Sequence, residues 1–412
     1  MKQFIKNKIS DLKKKKIFSL TDLHLKNKTV LVRVDYNVPL YKGKIKDDDK
    51  IKLSLPTINY LLQKNCKIIL ATHLGRPKGK VITKLKVNVL ARELKKLLPK
   101  EKIIKLNDCI GSDIKQKIEK GKLKEIFLLE NLRFYREEKD NDFAFAHSLA
   151  NLADLYINDA FGASHRKHAS LDVVAKFIPG GVGFLMENEI AQLSKILKPK
   201  KPLIWIIGGA KLDKIDLIEK ALKKADYILM GGALAFSFLK AQGFHVGMTR
   251  TDSTSIRLAK KILKKKTARK IILPVDAVVA AHSYTKSKIV AANQISTSQS
   301  AFDIGPKTVE LFKERLKSSK TIVWNGPLGY FEVKPFDKSS KAIANYISKL
   351  KTVKVIGGGE TSEMIRSLKL YQKMTHVSTG GGASLEFLSG QKLAGIKALE
   401  RNYQMFRKKL KK

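Results

Sequence analysis

Cysteine is scarce in this 412-residue chain, and long apolar stretches are absent. The two cysteines, Cys66 and Cys109, lack CxxC spacing and metal-ligating neighbours. This argues against a disulfide framework or a thiolate metal site, and we expect inert thiols in a reducing compartment. No window approaches the roughly 18 consecutive apolar residues of a membrane span. The Lys-rich N-terminus lacks a signal peptide's apolar core and cleavage site, so the expected location is the cytoplasm.

Acidic residues are also few, 37 against 82 basic ones, which gives a formal net charge of +45. A charge this strong is typical of nucleic-acid binders. Only 13 of the basic residues are arginine, however, and the lysines are spread along the whole chain without interleaved aromatics, as in the runs at 13–16 and 264–266. This pattern indicates compositional drift. We expect weak, salt-sensitive adsorption to polyanions and no specific nucleic-acid partner.

Short β-branched runs alternate with amphipathic helical patterns in both halves of the chain. Strands are predicted at 30–34, 67–72, 126–129, 155–158, 203–207, 227–230, 270–273, 321–324, 354–356 and 376–378, and helices at 87–98, 143–152, 233–242 and 255–264. The length exceeds what one core usually serves. The sequence therefore predicts an α/β protein with two doubly wound, Rossmann-like parallel-sheet domains. The predicted linker is a helical pattern at 187–197, between Gly-rich 179–183 and Pro-rich 199–202.

In folds of this kind, ligands bind just past the carboxyl ends of the strands. The first-half strand ends are rich in polar and cationic side chains, which are Asp35, Asn37, His73, Arg76, Arg133 and Arg166. Arginine forks suit phosphate and carboxylate oxygens, so this set favours a small, multiply anionic ligand. Any one of these residues alone would more simply be explained as a loop salt bridge.

The second-half strand ends carry glycine clusters instead, at 208–209, 231–232, 357–359 and 380–382. Glycine lets the backbone approach a phosphate, and a following helix N-terminus supplies N–H groups and a positive dipole. A single such pair usually marks only a tight turn, but four at strand ends indicate a nucleotide's phosphates. The chain has no GxxxxGK[ST] motif and no HRD…DFG set, so it is neither a P-loop enzyme nor a protein kinase.

An ordered series of motifs spans nearly the whole chain after about the first fourteen residues. They are VLVRVDYNVP (30–39), PTI (56–58), HLGRP (73–77), ENLRF (130–134), DAFGASHR (159–166), GGAK (208–211), LPVD (273–276), DIGP (303–306), WNGPLG (324–329), GGGET (357–361) and STGGGASLEFL (378–388). In this order the chain closely resembles the phosphoglycerate kinase family. The resemblance implies reversible phosphoryl transfer between 1,3-bisphosphoglycerate plus ADP and 3-phosphoglycerate plus ATP, with Mg²⁺ as MgATP or MgADP and a monomeric protein.

The resemblance also implies the division of the chain. It assigns 1–186 to an N-terminal 3-phosphoglycerate domain onto which 391–412 folds back, 187–198 to an interdomain helix, and 199–390 to a nucleotide domain. The active-site cleft is expected between the two domains. Since each ligand is held on its own domain, hinge closure is expected during catalysis.

Matched residue by residue, the resemblance assigns a role to each candidate. The triose ligand is expected on Asp35, Asn37, Lys50, His73, Leu74, Gly75, Arg76, Arg133 and Arg166. The nucleotide is expected on Gly209, Lys211, Lys214, Asn325, Glu332, Gly358, Gly359, Glu360 and Thr361, with Mg²⁺ near Glu360 and with Lys50 and Lys211 as the catalytic residues. The attacking carboxylate is already ionised near neutral pH, so no general base is needed and catalysis depends on positioning and charge neutralisation.

The chain departs from the family pattern at four places. Lys50 stands where the family has an arginine, Glu360 where it has an aspartate, and Ser339 and Ser340 where it has Gly-Thr. The GGAKLDK segment at 208–214 is one residue short. These departures leave open a catalytically impaired homologue, and the net charge alone leaves open a polyanion-binding protein on the same scaffold.

Overall fold

The computed structural model describes residues 16–209 and 215–410. The chain divides into two compact units: unit one ends at Gln192 and resumes at Lys392, and unit two is Leu193–Gln391. Each unit contains a six-stranded sheet in which all strands are parallel and helices cover the faces. The predicted α/β fold class is therefore confirmed. Among the described helices, none combines the length and the apolar character needed to cross a membrane.

Unit one is built on a sheet with the order β5-β6-β4-β1-β7-β8, beside a β2–β3 hairpin. Its strands are β1 (Thr29–Val34), β2 (Leu40–Tyr41), β3 (Lys44–Ile45), β4 (Lys67–Ala71), β5 (Ile103–Lys105), β6 (Ile126–Leu128), β7 (Leu155–Asp159) and β8 (Gly180–Val182). Its helices are α1 (Asp49–Lys52), α2 (Leu55–Gln63), α3 (Asn88–Leu97), α4 (Ser112–Lys120), α5 (Arg136–Asp140), α6 (Phe143–Ala150) and the beginning of α7 (Phe184–Leu197).

The central strands of unit one are buried on both faces. In β1, Val30, Leu31, Val32 and Val34 are all at most 2% exposed. Parallel strands that helices cover on both sides read as continuous apolar runs rather than alternating ones. This is why the TVLVRV segment forms a central strand, and it makes the one charged residue of that run, Arg33, unusual.

Unit two has the sheet order β11-β10-β9-β15-β16-β17 and a separate three-stranded antiparallel sheet, β13-β12-β14. Its strands are β9 (Leu203–Ile207), β10 (Tyr227–Met230), β11 (Ile271–Ile272), β12 (Asp276–Ala280), β13 (Lys288–Ala291), β14 (Ser300–Ile304), β15 (Thr321–Asn325), β16 (Val353–Gly357) and β17 (His376–Val377). Its helices are α8 (Ile215–Lys224), α9 (Gly232–Ala241), α10 (Ser253–Leu263), α11 (Pro306–Lys317), α12 (Lys338–Lys349), α13 (Gly359–Ser367) and α14 (Gly382–Leu388).

The strand order of the parallel sheet in unit two is that of a dinucleotide-binding fold. Counted within this sheet, it runs 3-2-1-4-5-6, and the order reverses between β9 and β15. In unit one the chain likewise turns to opposite sides of the sheet at β1, which lies between β4 and β7. Ligands bind outside the carboxyl ends of the strands at such switch points. A ligand site is therefore expected at the carboxyl end of β1 in unit one and between the carboxyl ends of β9 and β15 in unit two.

The C-terminal helix α15 (Ala394–Leu410) packs on unit one. Asn402 is fully buried; its Oδ1 accepts from the Gly180 N–H at 2.9 Å, and its Nδ2 donates to the Ala175 carbonyl at 2.7 Å. The Tyr403 ring lies 4.6 Å from the Phe18 ring, centroid to centroid. Helix α15 thus satisfies backbone groups of β8 and of the segment before it.

The division between the units falls inside helix α7, between Gln192 and Leu193. The helix begins at Phe184, three residues before the predicted pattern. The Gly-rich stretch before it contains strand β8 rather than a loop. Glycine is required there because a β-carbon on Gly180 would lie 2.2 Å from the Tyr156 carbonyl oxygen.

Candidate active site

Asp35 and Lys50 form an ion pair at the carboxyl edge of the unit-one sheet. Asp35 directly follows β1, and Lys50 lies in α1. The Lys50 Nζ lies 3.0 Å from Asp35 Oδ2. Burial by itself raises the pKa of Asp35, but the charge and hydrogen bond of Lys50, together with the charge of Arg33, outweigh it and hold that pKa well below its ordinary value. Asp35 is therefore ionised across the neutral range.

Asn37 orders the loop that follows β4. Its Oδ1 accepts a hydrogen bond from the Gly75 N–H at 2.8 Å. Gly75 has a φ of +66°, and a β-carbon there would lie 2.7 Å from Leu85 Cδ2, so the position requires glycine. Leu74 is buried; its N–H donates to Asn131 Oδ1 at 3.2 Å and its carbonyl accepts from Asn131 Nδ2 at 2.8 Å. Leu74 therefore anchors the loop through its backbone while its side chain packs in the core.

His73 is a buried, neutral imidazole. Its Nδ1 lies 3.1 Å from the Arg33 Nη2, and because a guanidinium can only donate, Nδ1 accepts and the ring proton lies on Nε2. Burial and the Arg33 charge hold the pKa of His73 well below its ordinary value. His73 is thus suited to donate a hydrogen bond from Nε2 and not to carry charge at neutral pH.

Arg33 belongs to a buried network that the sequence analysis missed. Its Nε donates to Ser170 Oγ at 2.9 Å, and its Nη2 lies 3.9 Å from Glu138 Oε1. Glu138 accepts from Ser170 twice, from Oγ at 2.7 Å and from N–H at 2.9 Å. Arg33 and Glu138 are fully buried, so each charge depends on the other. In the sequence, the only sign of this network is Arg33 itself, the single charged residue within the apolar run of β1.

The three predicted anion-binding arginines differ in their surroundings. They follow β4, β6 and β7, whose carboxyl ends share one edge of the sheet. Arg76 is exposed, whereas Arg166 is partly buried and donates from Nε to His165 Nε2 at 3.2 Å. Arg133 is 7% exposed; its Nη1 donates to the Gly75 carbonyl at 2.9 Å, and its buried Nε has no hydrogen-bond partner among the described residues. An unsatisfied buried guanidinium N–H is a position that an anionic ligand can fill.

In unit two, backbone segments cross closely at the carboxyl ends of β9 and β10. The Gly209 N–H donates to the Pro327 carbonyl at 2.7 Å, and the Gly232 N–H donates to the Leu328 carbonyl at 2.7 Å. Gly232 has a φ of +61°, and a β-carbon there would lie 2.5 Å from the Gly209 nitrogen. Only glycine permits this approach, which lines the strand ends with backbone rather than side chains.

Helix α13 begins at this same edge with an N-terminus that no side chain caps. Its N-cap Gly358 has a φ of +90°, and a β-carbon there would lie 2.6 Å from Asn325 Nδ2. Thr361 is fully buried, and its Oγ1 accepts from the Gly326 N–H at 2.6 Å. The Thr361 hydroxyl therefore ties the loop after β15 to the helix. Helix starts of this kind attract phosphate through their N–H groups and dipole.

A cavity of about 430 Å³ opens at this edge of unit two. Its wall includes Gly209, Gly232, Glu332, Glu360, Phe236, Met248, Arg250, Phe302 and Tyr330. The rings of Phe302 and Tyr330 stack with centroids 6.4 Å apart. The glycine side suits phosphates, and the aromatic side suits a flat base; the volume lies in the range of small-ligand sites. Sequence reasoning did not identify Arg250, because no motif marks it.

The predicted residues Lys211 and Lys214 lie outside the described residues. The family departure at 339–340 does have a structural role here. Ser339 Oγ makes a short hydrogen bond to Asp303 Oδ1, and the Leu328 N–H donates to Ser340 Oγ at 2.9 Å. The two hydroxyls therefore fix the loop that closes one side of the cavity.

Comparisons with known proteins agree with this geometry. The profile of the family described as "Phosphoglycerate kinase" matches residues 20–391. Named phosphoglycerate kinases of Dictyoglomus turgidum and Pelotomaculum thermopropionicum are 46% and 44% identical; the alignments cover 94% and 92% of this chain and 99% and 98% of the relatives. The solved phosphoglycerate kinases of Coxiella burnetii and Pyrococcus horikoshii superpose with TM-scores of 0.81 and 0.82 at 34% and 32% identity, over 93% and 95% of this chain and 99% and 100% of theirs. The chain therefore belongs to the phosphoglycerate kinase family.

Proposed function

We propose that this chain transfers a phosphoryl group reversibly between 1,3-bisphosphoglycerate plus ADP and 3-phosphoglycerate plus ATP, with the triose ligand on unit one and the nucleotide on unit two. The observation that carries this proposal is Arg133. Its guanidinium is buried at the carboxyl edge of the unit-one sheet, and its Nε has no hydrogen-bond partner among the described residues. Leaving such a donor unsatisfied is costly, so a ligand oxygen is its natural partner.

The remaining unit-one candidates supply complementary contacts for a small anion. Arg76 and Arg166 contribute charge, and the Nε2–H of neutral His73 contributes a donor without adding charge. Asp35 is ionised and accepts only, which suits a hydroxyl of the triose rather than its phosphate or carboxylate. Together these groups favour a ligand that carries both anionic ends and a hydroxyl, as 3-phosphoglycerate does.

The unit-two cavity supports the nucleotide assignment. Gly209 and Gly232 line the cavity without side chains, which leaves room for phosphates, and the uncapped start of α13 adds N–H donors. Thr361 holds the loop after β15 in place, and Asn325 lies beside Gly358 where a β-carbon would clash with it. In this proposal, the glycines and helix start bind the phosphates, and Glu332 lies on the cavity wall within reach of the sugar and base.

The donor set of the cavity also fits Mg²⁺. Glu332 and Glu360 both line it, and carboxylate oxygens are the protein ligands that this hard cation prefers. We propose that Glu360, which follows Gly359 in the first turn of α13, holds the metal. When bound, Mg²⁺ neutralises phosphate charge.

The chain's own residues then need no general base. The attacking 3-phosphoglycerate carboxylate is ionised near neutral pH because carboxyl groups of this kind have a pKa of about 3.5. The residues orient the two ligands and neutralise the charge that moves with the phosphoryl group. Lys50 and Lys211 are proposed for that neutralisation. Cys66 and Cys109 are both free thiols, which supports the proposal that the enzyme works in the reducing cytoplasm. We propose that it does so as a monomer.

Steady-state kinetics with 3-phosphoglycerate and MgATP, coupled to the consumption of 1,3-bisphosphoglycerate, tests the proposal. Saturation in both substrates is expected, and calorimetry should show that Arg133→Met loses 3-phosphoglycerate binding and keeps MgADP binding. Binding of both ligands without turnover would identify a catalytically impaired homologue. If neither ligand bound and RNA bound with a steep salt dependence, the polyanion-binding alternative would replace the proposal.

A further inference from the structure

Unit two has a second concave site at the opposite edge of its parallel sheet. This hollow of about 420 Å³ is lined by Lys200, Lys320, Lys351, Lys354, Lys373 and the polar Thr352. We call it the lysine hollow. Lys200 precedes β9, Lys320 precedes β15, Lys351 precedes β16, Lys354 lies at the start of β16 and Lys373 precedes β17. Because these strands are parallel, their amino ends share one edge, about 20 Å along β15 from the candidate nucleotide cavity.

The floor of the lysine hollow is fixed by backbone hydrogen bonds between neighbouring loops. Thr321 Oγ1 donates to the Lys200 carbonyl at 2.8 Å, and the Val353 N–H donates to the Lys320 carbonyl at 3.1 Å. The Lys354 N–H donates to Thr375 Oγ1 at 2.9 Å. The stems of the lysines are thus held on one ordered surface, unlike lysines scattered on flexible loops.

The charges of the lysine hollow are not compensated within the described part of the chain. None of its ten lining residues is a carboxylate, and none of its five lysines has an ion pair among the described residues. Lys354 is 7% exposed; burial first, and then the charge of Lys373, lowers its pKa. The Thr352 hydroxyl is buried and has no hydrogen-bond partner among the described residues. The Lys354 ammonium donates to the Leu350 carbonyl at 2.8 Å. The clustered cations and the one unpartnered hydroxyl together indicate a ligand that supplies several negative oxygens.

We propose that the lysine hollow binds a linear condensed phosphate, a chain of at least three phosphate groups. The lysines extend across the neighbouring strands β9, β15, β16 and β17, which is about 14 Å at the spacing of parallel strands. A single orthophosphate contacts only part of such a row, whereas a phosphate chain follows it. Point-charge ammonium groups suit phosphate oxygens without requiring a fixed fork geometry. The site lacks aromatic side chains, so nothing in it stacks on a nucleic-acid base.

Isothermal titration calorimetry with sodium tripolyphosphate tests the proposal on the full chain, in metal-free buffer with saturating ADP to fill the nucleotide cavity. The test variant is Lys320→Glu with Lys373→Glu, and the matched control is Lys260→Glu with Lys264→Glu, which makes the same charge change on exposed positions of α10 and just after it. We expect the test variant to weaken tripolyphosphate binding at least 10-fold and the control to change it less than 2-fold. The milder variant Lys320→Gln with Lys373→Gln should give an intermediate loss if the glutamate pair disturbs folding.

Three outcomes overturn the proposal. The first is that the wild type does not bind tripolyphosphate, and the second is that the test and control variants lose tripolyphosphate affinity equally. The third is that a nine-nucleotide single-stranded RNA binds more tightly than tripolyphosphate and that the same test variant abolishes this RNA binding. A second titration, of ATP into the same metal-free, ADP-saturated protein, separates free condensed phosphate from a nucleotide's phosphate tail. If tripolyphosphate and ATP both bind, and the test variant weakens both equally, the hollow recognises the phosphate chain that the two ligands share. MgADP binding and turnover are measured separately, so failure of the catalytic proposal is not confused with failure of this one.

Discussion

Replacing Lys50 tests the link between the geometry of unit one and catalysis. The Lys50 Nζ lies 3.0 Å from Asp35 Oδ2, and the Lys50 side chain is 33% exposed. An ammonium here neutralises Asp35, and in the proposed mechanism it also offers charge to the transferring phosphoryl group. Lys50→Ala should lower kcat by roughly 10²–10³-fold, the scale observed when one preorganised donor is removed.

The alanine variant also has a predicted pH signature. Asp35 stays buried but loses the partner that lowers its pKa, so its pKa rises. The wild-type carboxylate is ionised well below neutral pH, and therefore the acidic limb of kcat/KM should move to higher pH in the variant. A pH–rate profile of both proteins from pH 4 to pH 8 measures the shift.

Lys50→Arg provides the opposite change. A guanidinium can pair with Asp35 through two nitrogens and still present a further N–H, so kcat should rise while KM for MgATP changes little. The matched control is Lys52→Ala, because Lys52 lies two residues along the same short helix and pairs at 2.8 Å with Asp48, the residue that precedes the helix. Wild-type rates in both Lys50 variants would refute the reasoning. An arginine variant slower than wild type would show that the pocket is shaped around lysine.

Four further predictions concern other residues. Arg76→Ala should weaken 3-phosphoglycerate binding by about 1.5–3 kcal/mol and leave MgADP affinity unchanged in calorimetry; equal losses for both ligands would contradict the assignment of ligands to units. Lys211→Ala should reduce kcat severely and Lys214→Ala only slightly, because the family resemblance places a helix start here and each missing helical residue would shift the second lysine by about 100°; comparable losses would contradict this. Glu138→Gln should destabilise the protein by about 3–5 kcal/mol in urea unfolding, since it leaves a buried guanidinium without its counter-charge, and an unchanged midpoint would refute that dependence. Burial raises the pKa of Asp303 from 3.8 to about 7, so the folded state binds the proton more tightly and loses stability as pH rises between those values. The wild type should therefore lose melting temperature relative to the Asp303→Asn variant as the pH rises from about 4 to about 7. A difference between the two melting temperatures that does not change with pH would count against a neutral Asp303.

Local apolar patterning allowed the parallel strands to be predicted from the sequence. The predicted strand at 203–207 coincides with β9, and the one at 227–230 with β10; those at 30–34 and 321–324 each differ from β1 and β15 by one residue. Strands covered on both faces have continuous β-branched runs, which a single sequence displays directly. The antiparallel sheet was missed because β13 (Lys288–Ala291) and β14 (Ser300–Ile304) are partly exposed and mix polar with apolar residues.

The ordered motifs determined the family, and they marked which strand ends carry chemistry. Only the tertiary structure decided what those residues touch. Arg33 meets Glu138 across 105 positions of sequence, and Lys50 meets Asp35 across a hairpin; local periodicity carries no information about such pairs. The lysine hollow likewise exists only because four parallel strands begin at one edge and bring dispersed lysines together. In the sequence these lysines are indistinguishable from the many others, since position on a shared edge is a property of the sheet and not of the segments that form it.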